Sequence, residues 1–164
     1  MLFENFNRLE ITRPMATTFA NLLYHVVFST KNRLPLIRNE IRGPLYGYMG
    51  GILRGEGGIL LEIGGMPDHV HLLAKMKTDV AVSVMVQKVK GKSSKWLNER
   101  PDSQEHFEWQ EGYGIFSVSA SAVDKVRRYI RLQEEHHRRV SFRDELVALL
   151  ERNGISYDER YLFG

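Results

Sequence analysis

A chain of 164 residues, 43% of them hydrophobic and none a cysteine, fits one domain with a sizeable core and excludes disulfides and thiolate metal sites. Any metal centre must therefore draw on histidine, carboxylate or amide ligands. The formal net charge of +3 is too small to name a partner. No apolar run reaches the length of a membrane span and no cleavable leader follows the N-terminus, so the default location is cytoplasmic, with no membrane partner.

Met15-Ala16-Thr17-Thr18 would be a natural start just ahead of the first strand, so residues 1–14 read as an extension that need not be ordered, and residues 15–164 as a single domain. Residues 19–29 (FANLLYHVVFS) are apolar and rich in aromatic and β-branched residues, which predicts a buried first strand. A helix follows over about 38–54, with Pro44 near its start and Gly51, Gly55, Gly57 and Gly58 loosening its end. Ile59 to Ile63 is a second strand, residues 64–68 (GGMPD) carry turn chemistry, and His69 to Met76 is a third strand. Asp79 is placed to cap a helix running to about Glu99, with Val82, Met85, Val86, Val89, Trp96 and Leu97 as its inward stripe.

Residues 101–112 are polar and loop-like, and Tyr113 to Ser119 alternates as a fourth strand. Ser121 opens a helix to about Arg139 with Val123, Val126 and Ile130 inward; a final short helix spans Ser141 to Asn153 and closes at Gly154. The order βαββαβ predicts an α+β, ferredoxin-like antiparallel sheet with additional C-terminal helices. Strands one and three would be central, with two helices on one face.

The third strand carries the most informative residues. Side chains alternate along a strand, so His69 and His71 project to one face while Val70, Leu72 and Ala74 face the helices. Two imidazoles so placed can hold one divalent ion; two half-exposed strand histidines with no ligand is the plain alternative. On the helix after strand four, Tyr129 and Gln133 stand one turn apart among Arg127, Arg128 and Arg131, with His136 and His137 close behind. By residue type those two histidines rival Gln133 as ligands. His25 on strand one points toward the same open face.

Basic charge is uneven. Residues 79–100 carry five Lys/Arg against two acids, and residues 121–139 carry six against three. Lys88, Lys92 and Lys95 recur at helical spacing as one ridge able to track phosphates, and Arg127 and Arg131 are further DNA-contact candidates. Trp96 and Trp109 are candidates for base stacking, although core packing suits both better.

Taken together, residues 24–31 (YHVVFSTK), 66–73 (MPDHVHLL), 112–119 (GYGIFSVS), 129–133 (YIRLQ) and 155–162 (ISYDERYL) resemble the single-tyrosine transposases with a His-hydrophobic-His motif, of the insertion-sequence two-hundred type. The resemblance spans most of the chain. It implies that His69, His71 and Gln133 bind Mg²⁺ or Mn²⁺ and that Tyr129 is the nucleophile on single-stranded DNA bearing subterminal hairpins. Cleavage would leave a 5′-phosphotyrosine and a free 3′-hydroxyl. It further implies a homodimer whose active sites are completed in trans. Two other readings stay open: a domesticated enzyme that nicks hairpin repeats, and a DNA-binding relative without catalysis. His/His/Gln is nitrogen-rich for Mg²⁺, so Mn²⁺ is expected to serve at least as well.

Overall fold

The structure is a computed structural model and describes residues 18–163; the expectation for residues 1–14 lies outside them. Four strands form one antiparallel sheet in the order β2-β3-β1-β4: β1 (Leu22–Ser29), β2 (Ile59–Met66), β3 (His69–Met76) and β4 (Gly114–Val118). With α1 (Asn39–Gly55) and α2 (Val82–Asn98) between them, this is the βαββαβ arrangement expected from the sequence. The central strands are β1 and β3, paired from Leu22↔Met76 to Ser29↔His69.

Alternation along the strands makes two cores. Tyr24, Val26 and Phe28 of β1 and Val70, Leu72 and Ala74 of β3 face α1 and α2, where they meet Leu45, Met49, Leu53, Met85, Val86 and Val89. On the opposite face Val27 and Phe116 pack with Phe142, Leu146 and Leu149 of α5 (Phe142–Arg152). Each fully buried aliphatic or aromatic side chain is worth about 1.5–3 kcal/mol, so α5 is docked by substantial apolar burial. Ser141 caps α5, accepting from Asp144 N at 3.1 Å, and the chain leaves it through Gly154 at φ 67°, as the Ser-to-Gly boundaries predict.

Four details depart from the sequence expectations. β1 starts at Leu22 rather than Phe19, which is exposed. α2 starts at Val82 with Ala81 as its N-cap, so Asp79 stands in the preceding turn and caps nothing. β2 continues through Gly64 and Gly65, paired with His71 and Val70, and only Pro67 and Asp68 remain as the loop. The reason is spatial: a Cβ at position 64 would lie 2.4 Å from the Ile130 carbonyl oxygen, and one at 65 would lie 2.2 Å from the His69 carbonyl oxygen. These glycines serve close approach within a strand, a role P-G-type turn statistics hide. Lastly, the helix expected over 121–139 is α3 (Val123–Arg131) followed, across Leu132, by the short α4 (Gln133–His136). At the break Leu132 is exposed while Gln133 is buried. The bend trades an apolar side chain to solvent for the inward hydrogen bonds of Gln133 and His137.

Candidate metal and tyrosine site

The open face of the sheet is covered by α3, α4 and α5, and the chemistry lies in that layer. His69 and His71 are both buried. His69 Nδ1 donates to Asp68 Oδ1 at 2.7 Å, which leaves its Nε2 lone pair pointing inward. His137 Nδ1 donates to the Val140 carbonyl at 2.8 Å, with the same result at its Nε2. His71 Nδ1 lies 2.9 Å from His25 Nε2, so its Nε2 also faces the interior. Such outer hydrogen bonds fix the imidazole tautomer that presents a ligand nitrogen.

What these three nitrogens face is Glu145 of α5. Its Oε2 lies 2.9 Å from His137 Nε2, 3.2 Å from His71 Nε2 and 3.6 Å from His69 Nε2. Gln133 Nε2 donates to Glu145 Oε1 at 2.8 Å, while Gln133 Oε1 sits 3.0 Å from His137 Nε2 and 3.3 Å from His69 Nε2. The ligand atoms of His69, His71, His137 and Glu145 all lie within 4.8 Å of one another. Without an ion, His137 and His71 answer the carboxylate as hydrogen-bond donors; deprotonated, the same nitrogens and the carboxylate are a convergent set of lone pairs that only a positive charge would hold together. The donor set therefore fits a divalent cation. Three imidazoles with one carboxylate suit a first-row ion such as Mn²⁺ better than Mg²⁺, which prefers oxygen.

Tyr129 reaches the same carboxylate. Its hydroxyl donates to Glu145 Oε1, and its ring stands 5.8 Å from that of His71 and 6.0 Å from that of His25. The sequence-derived His69, His71, Tyr129 and Gln133 are thus brought together within one chain. His25 joins them as the partner of His71, and His137 stands closer to the carboxylate than His136, whose Nε2 is 3.5 Å away.

Burial and charge set the protonation of the group. Burial favours the protonated Glu145, but hydrogen bonds from His137, His71 and Tyr129 outweigh it and hold the carboxyl far below the usual range. Burial disfavours charge on His137 too, yet its bond to Glu145 and that carboxylate's charge raise it. Burial lowers His71 and, with the charge of His71, pushes His25 down to about 3. Burial and then the Glu145 charge push the Tyr129 phenol well above the usual tyrosine range.

Glu145 was not among the residues singled out from sequence, although a signal is present. Phe142, Glu145, Leu146 and Leu149 fall at i, i+3, i+4 and i+7, so a carboxylate interrupts the apolar stripe of an otherwise amphipathic helix. A buried acid in that position calls for a charged or hydrogen-bonding partner.

Of the DNA-contact candidates, the three lysines lie away from this layer, while Arg127 and Arg131 flank Tyr129 on α3. Lys88 and Lys92 pair with Glu56 at 2.6 and 3.1 Å, and Lys95 is 3.7 Å from Glu99; all are on α2, across the sheet from the site. Arg131 and Arg127 share Glu62 at 2.6 and 4.0 Å. Trp109 is buried and donates to Ser93 Oγ, and Trp96 stacks on Tyr48 with centroids 4.6 Å apart; both pack in the α1–α2 core layer, as expected.

Residues 18–133 match the family described as IS200-like transposases. The chain belongs to that family. The transposase for insertion sequence element IS200 of Salmonella typhimurium is 28% identical over 128 residues, 75% of this chain and 84% of the relative. The ISDra2 transposase TnpA of Deinococcus radiodurans is 27% identical over 119 residues, 70% of this chain and 85% of its own. Among solved structures, a Deinococcus radiodurans R1 protein described as a candidate transposase superposes with a TM-score of 0.54 at 25% identity, covering 71% of this chain and 93% of that one. A REP-associated tyrosine transposase bound to a REP hairpin gives a TM-score of 0.57 at 12% identity, covering 75% and 73%, a likeness of fold. The family span of this IS200-like transposase includes His69, His71, Tyr129 and Gln133 but ends before His137 and Glu145.

Proposed function

We propose that this IS200-like transposase cleaves and rejoins single-stranded DNA through a 5′-phosphotyrosine formed on Tyr129. The observation that carries the proposal is the Tyr129 hydroxyl bonded to the one carboxylate that also meets His71 and His137. In the forward step the Tyr129 oxygen bonds to phosphorus, the bond to the 3′-oxygen breaks, and that oxygen leaves as a 3′-hydroxyl. Attack by another 3′-hydroxyl reverses the step and joins new ends, conserving the phosphodiester's reactivity without a nucleotide cofactor.

His69, His71, His137 and Glu145 would hold the divalent ion, Mn²⁺ or Mg²⁺, with the Gln133 amide oxygen beside them. When bound it would polarise the scissile phosphate as a Lewis acid and supply positive charge beside the phenol. Glu145 orients the Tyr129 hydroxyl. It does not deprotonate it at rest, because burial and the carboxylate's charge hold the phenol high while hydrogen bonds from His137 and His71, and then Tyr129, hold the carboxyl low. Asp68 and His25 fix the rings of His69 and His71. Hairpin-bearing strands are the proposed substrate, a reading supported by the hairpin-bound tyrosine transposase of like fold. The proposed assembly is a homodimer; each chain's tyrosine already reaches its own cluster, so completion in trans would require α3 and α4 to exchange between copies.

The test is a covalent-adduct assay with Mn²⁺ and labelled single strands carrying the element's own ends, run on a denaturing gel. An SDS-resistant protein–DNA band that disappears in Tyr129→Phe is expected. Cleavage with no adduct would replace the tyrosine by water as nucleophile, and binding without cleavage would make the chain a DNA-binding relative.

A further inference from the structure

A groove of about 440 Å³ opens on the outer side of α3 and α4, lined by Lys125, Arg128, Tyr129, Leu132, Glu135, His136, Arg139 and Val140. Tyr129, whose hydroxyl meets Glu145, forms part of its wall. Three features distinguish it from the other basic surfaces. Lys125, Arg128 and Arg139 have no ion-pair partner among the described residues, whereas Lys88, Lys92, Arg127 and Arg131 are already shared with Glu56 or Glu62. His136, on its lining, turns Nε2 inward to 3.5 Å from Glu145 Oε1 without a hydrogen bond, so this wall borders the site. Leu132, at 42% exposure, supplies an apolar surface beside these charges.

Lys125 and Arg128 are three apart on α3, which places their Cβ atoms about 5–6 Å apart, comparable to the spacing of adjacent phosphates along a strand. Arg139, past the bend at Leu132, lines the same groove. One acid, Glu135, stands among them. An extended polyanion with apolar base faces complements this groove better than a duplex does, because phosphates meet the cations while a base covers Leu132 and Val140.

We infer that the groove carries the segment of single-stranded DNA that flanks the scissile phosphate, with Lys125, Arg128 and Arg139 as its phosphate contacts and the α2 lysine ridge off its path. The inference rests on the proposed function and adds the route by which the strand reaches Tyr129.

The test measures binding of a fluorescent single-stranded oligonucleotide by anisotropy across a salt series. The proteins are the wild type, a Lys125→Ala/Arg128→Ala/Arg139→Ala variant, a Lys88→Ala/Lys92→Ala/Lys95→Ala variant and Glu135→Gln. Each single-strand phosphate contact contributes about 0.7 to the slope of log affinity against log salt, so losing three lowers the slope by about 2 and the wild type's advantage shrinks roughly 20-fold between 50 and 200 mM salt. The α2 variant should keep the wild-type slope, and Glu135→Gln should tighten binding, a gain that damaged folding would not produce. An unchanged slope in the groove variant, or a slope lost in the α2 variant instead, overturns the inference while leaving an adduct on Tyr129 intact. A wild type that neither binds single strands nor forms the adduct overturns this inference together with the proposed function.

Discussion

Replacing Gly64 by alanine tests how the tyrosine is held in place. The new Cβ would lie 2.4 Å from the Ile130 carbonyl oxygen and 3.0 Å from Ile130 Cγ2. A carbon–oxygen contact is comfortable at about 3.3 Å, so the two backbones must part by roughly 0.9 Å. The obstacle is main chain and cannot rotate aside. β2 is pinned at this point by its pairing with His71, so α3 is the element that yields, and Tyr129 precedes Ile130. A misplacement of about 1 Å at a reacting group costs on the order of 100-fold in rate. Gly64→Ala should therefore fold but form the covalent adduct about 100-fold more slowly, measured as the single-turnover rate on a denaturing gel. Gly47→Ala is the control: nothing lies within 4 Å of a Cβ there, and the exposed mid-helix site should gain about 0.5–1 kcal/mol. A wild-type adduct rate in folded Gly64→Ala would refute the claim that α3 is seated against this glycine.

Glu145→Gln keeps the side chain's volume and removes its charge. Mn²⁺ affinity should fall by at least the roughly 10- to 100-fold that losing even an outer partner costs, seen by calorimetry, and the adduct should be lost; undiminished affinity would remove Glu145 from the ligand set. Metal-free stability should fall in acid because of His25: its folded value of about 3 lies below the ordinary 6.5, so the unfolded chain binds the proton first as pH drops. The loss through this group is about 2 kcal/mol by pH 5, and denaturant melts in chelator should show a smaller acid loss in His25→Gln; an equal loss would place the proton elsewhere. Glu145 and His137 act in opposite senses: the depressed carboxyl contributes fully above the ordinary carboxylate value and loses that contribution progressively as pH falls below it, whereas the raised His137 stabilises below about 6.5 and loses it as pH rises through its folded value. Mixing His69→Ala with Tyr129→Phe as verified heterodimers should restore cleavage if the site is completed in trans, and no recovery would assign the cis arrangement.

The strands and the layer logic could be read from sequence because period-two patterns report which face is buried. β3 runs from His69 to Met76 as expected, and its alternation alone assigned two histidines to the face that α3–α5 cover. Less could be read where a long-range partner decides the local structure. Gly64 and Gly65 look like a turn until Ile130 is placed above them. The helix through Tyr129 looks continuous until Glu145, twelve residues beyond Gln133, draws Gln133 and His137 inward and turns Leu132 out. Glu145 itself was visible as a carboxylate within an apolar stripe, but its meaning depends on the histidines it meets across 74 and 76 residues of chain.

The docking of α5 has a consequence for occupancy of the site. Phe142 stacks on the His69 ring with centroids 3.9 Å apart, and Leu146 and Leu149 anchor the same helix that brings Glu145. Cover and ligand are thus one element. Any fraying that lifts α5 off the sheet uncovers His69 and withdraws the carboxylate together, so under the proposed metal site ion release and local opening would share a single equilibrium. An ion that binds only the closed form stabilises the helix in proportion to the logarithm of its concentration over its dissociation constant. The C-terminal helix would then be firm or loose according to the metal supply, while the four strands beneath it keep their own stability.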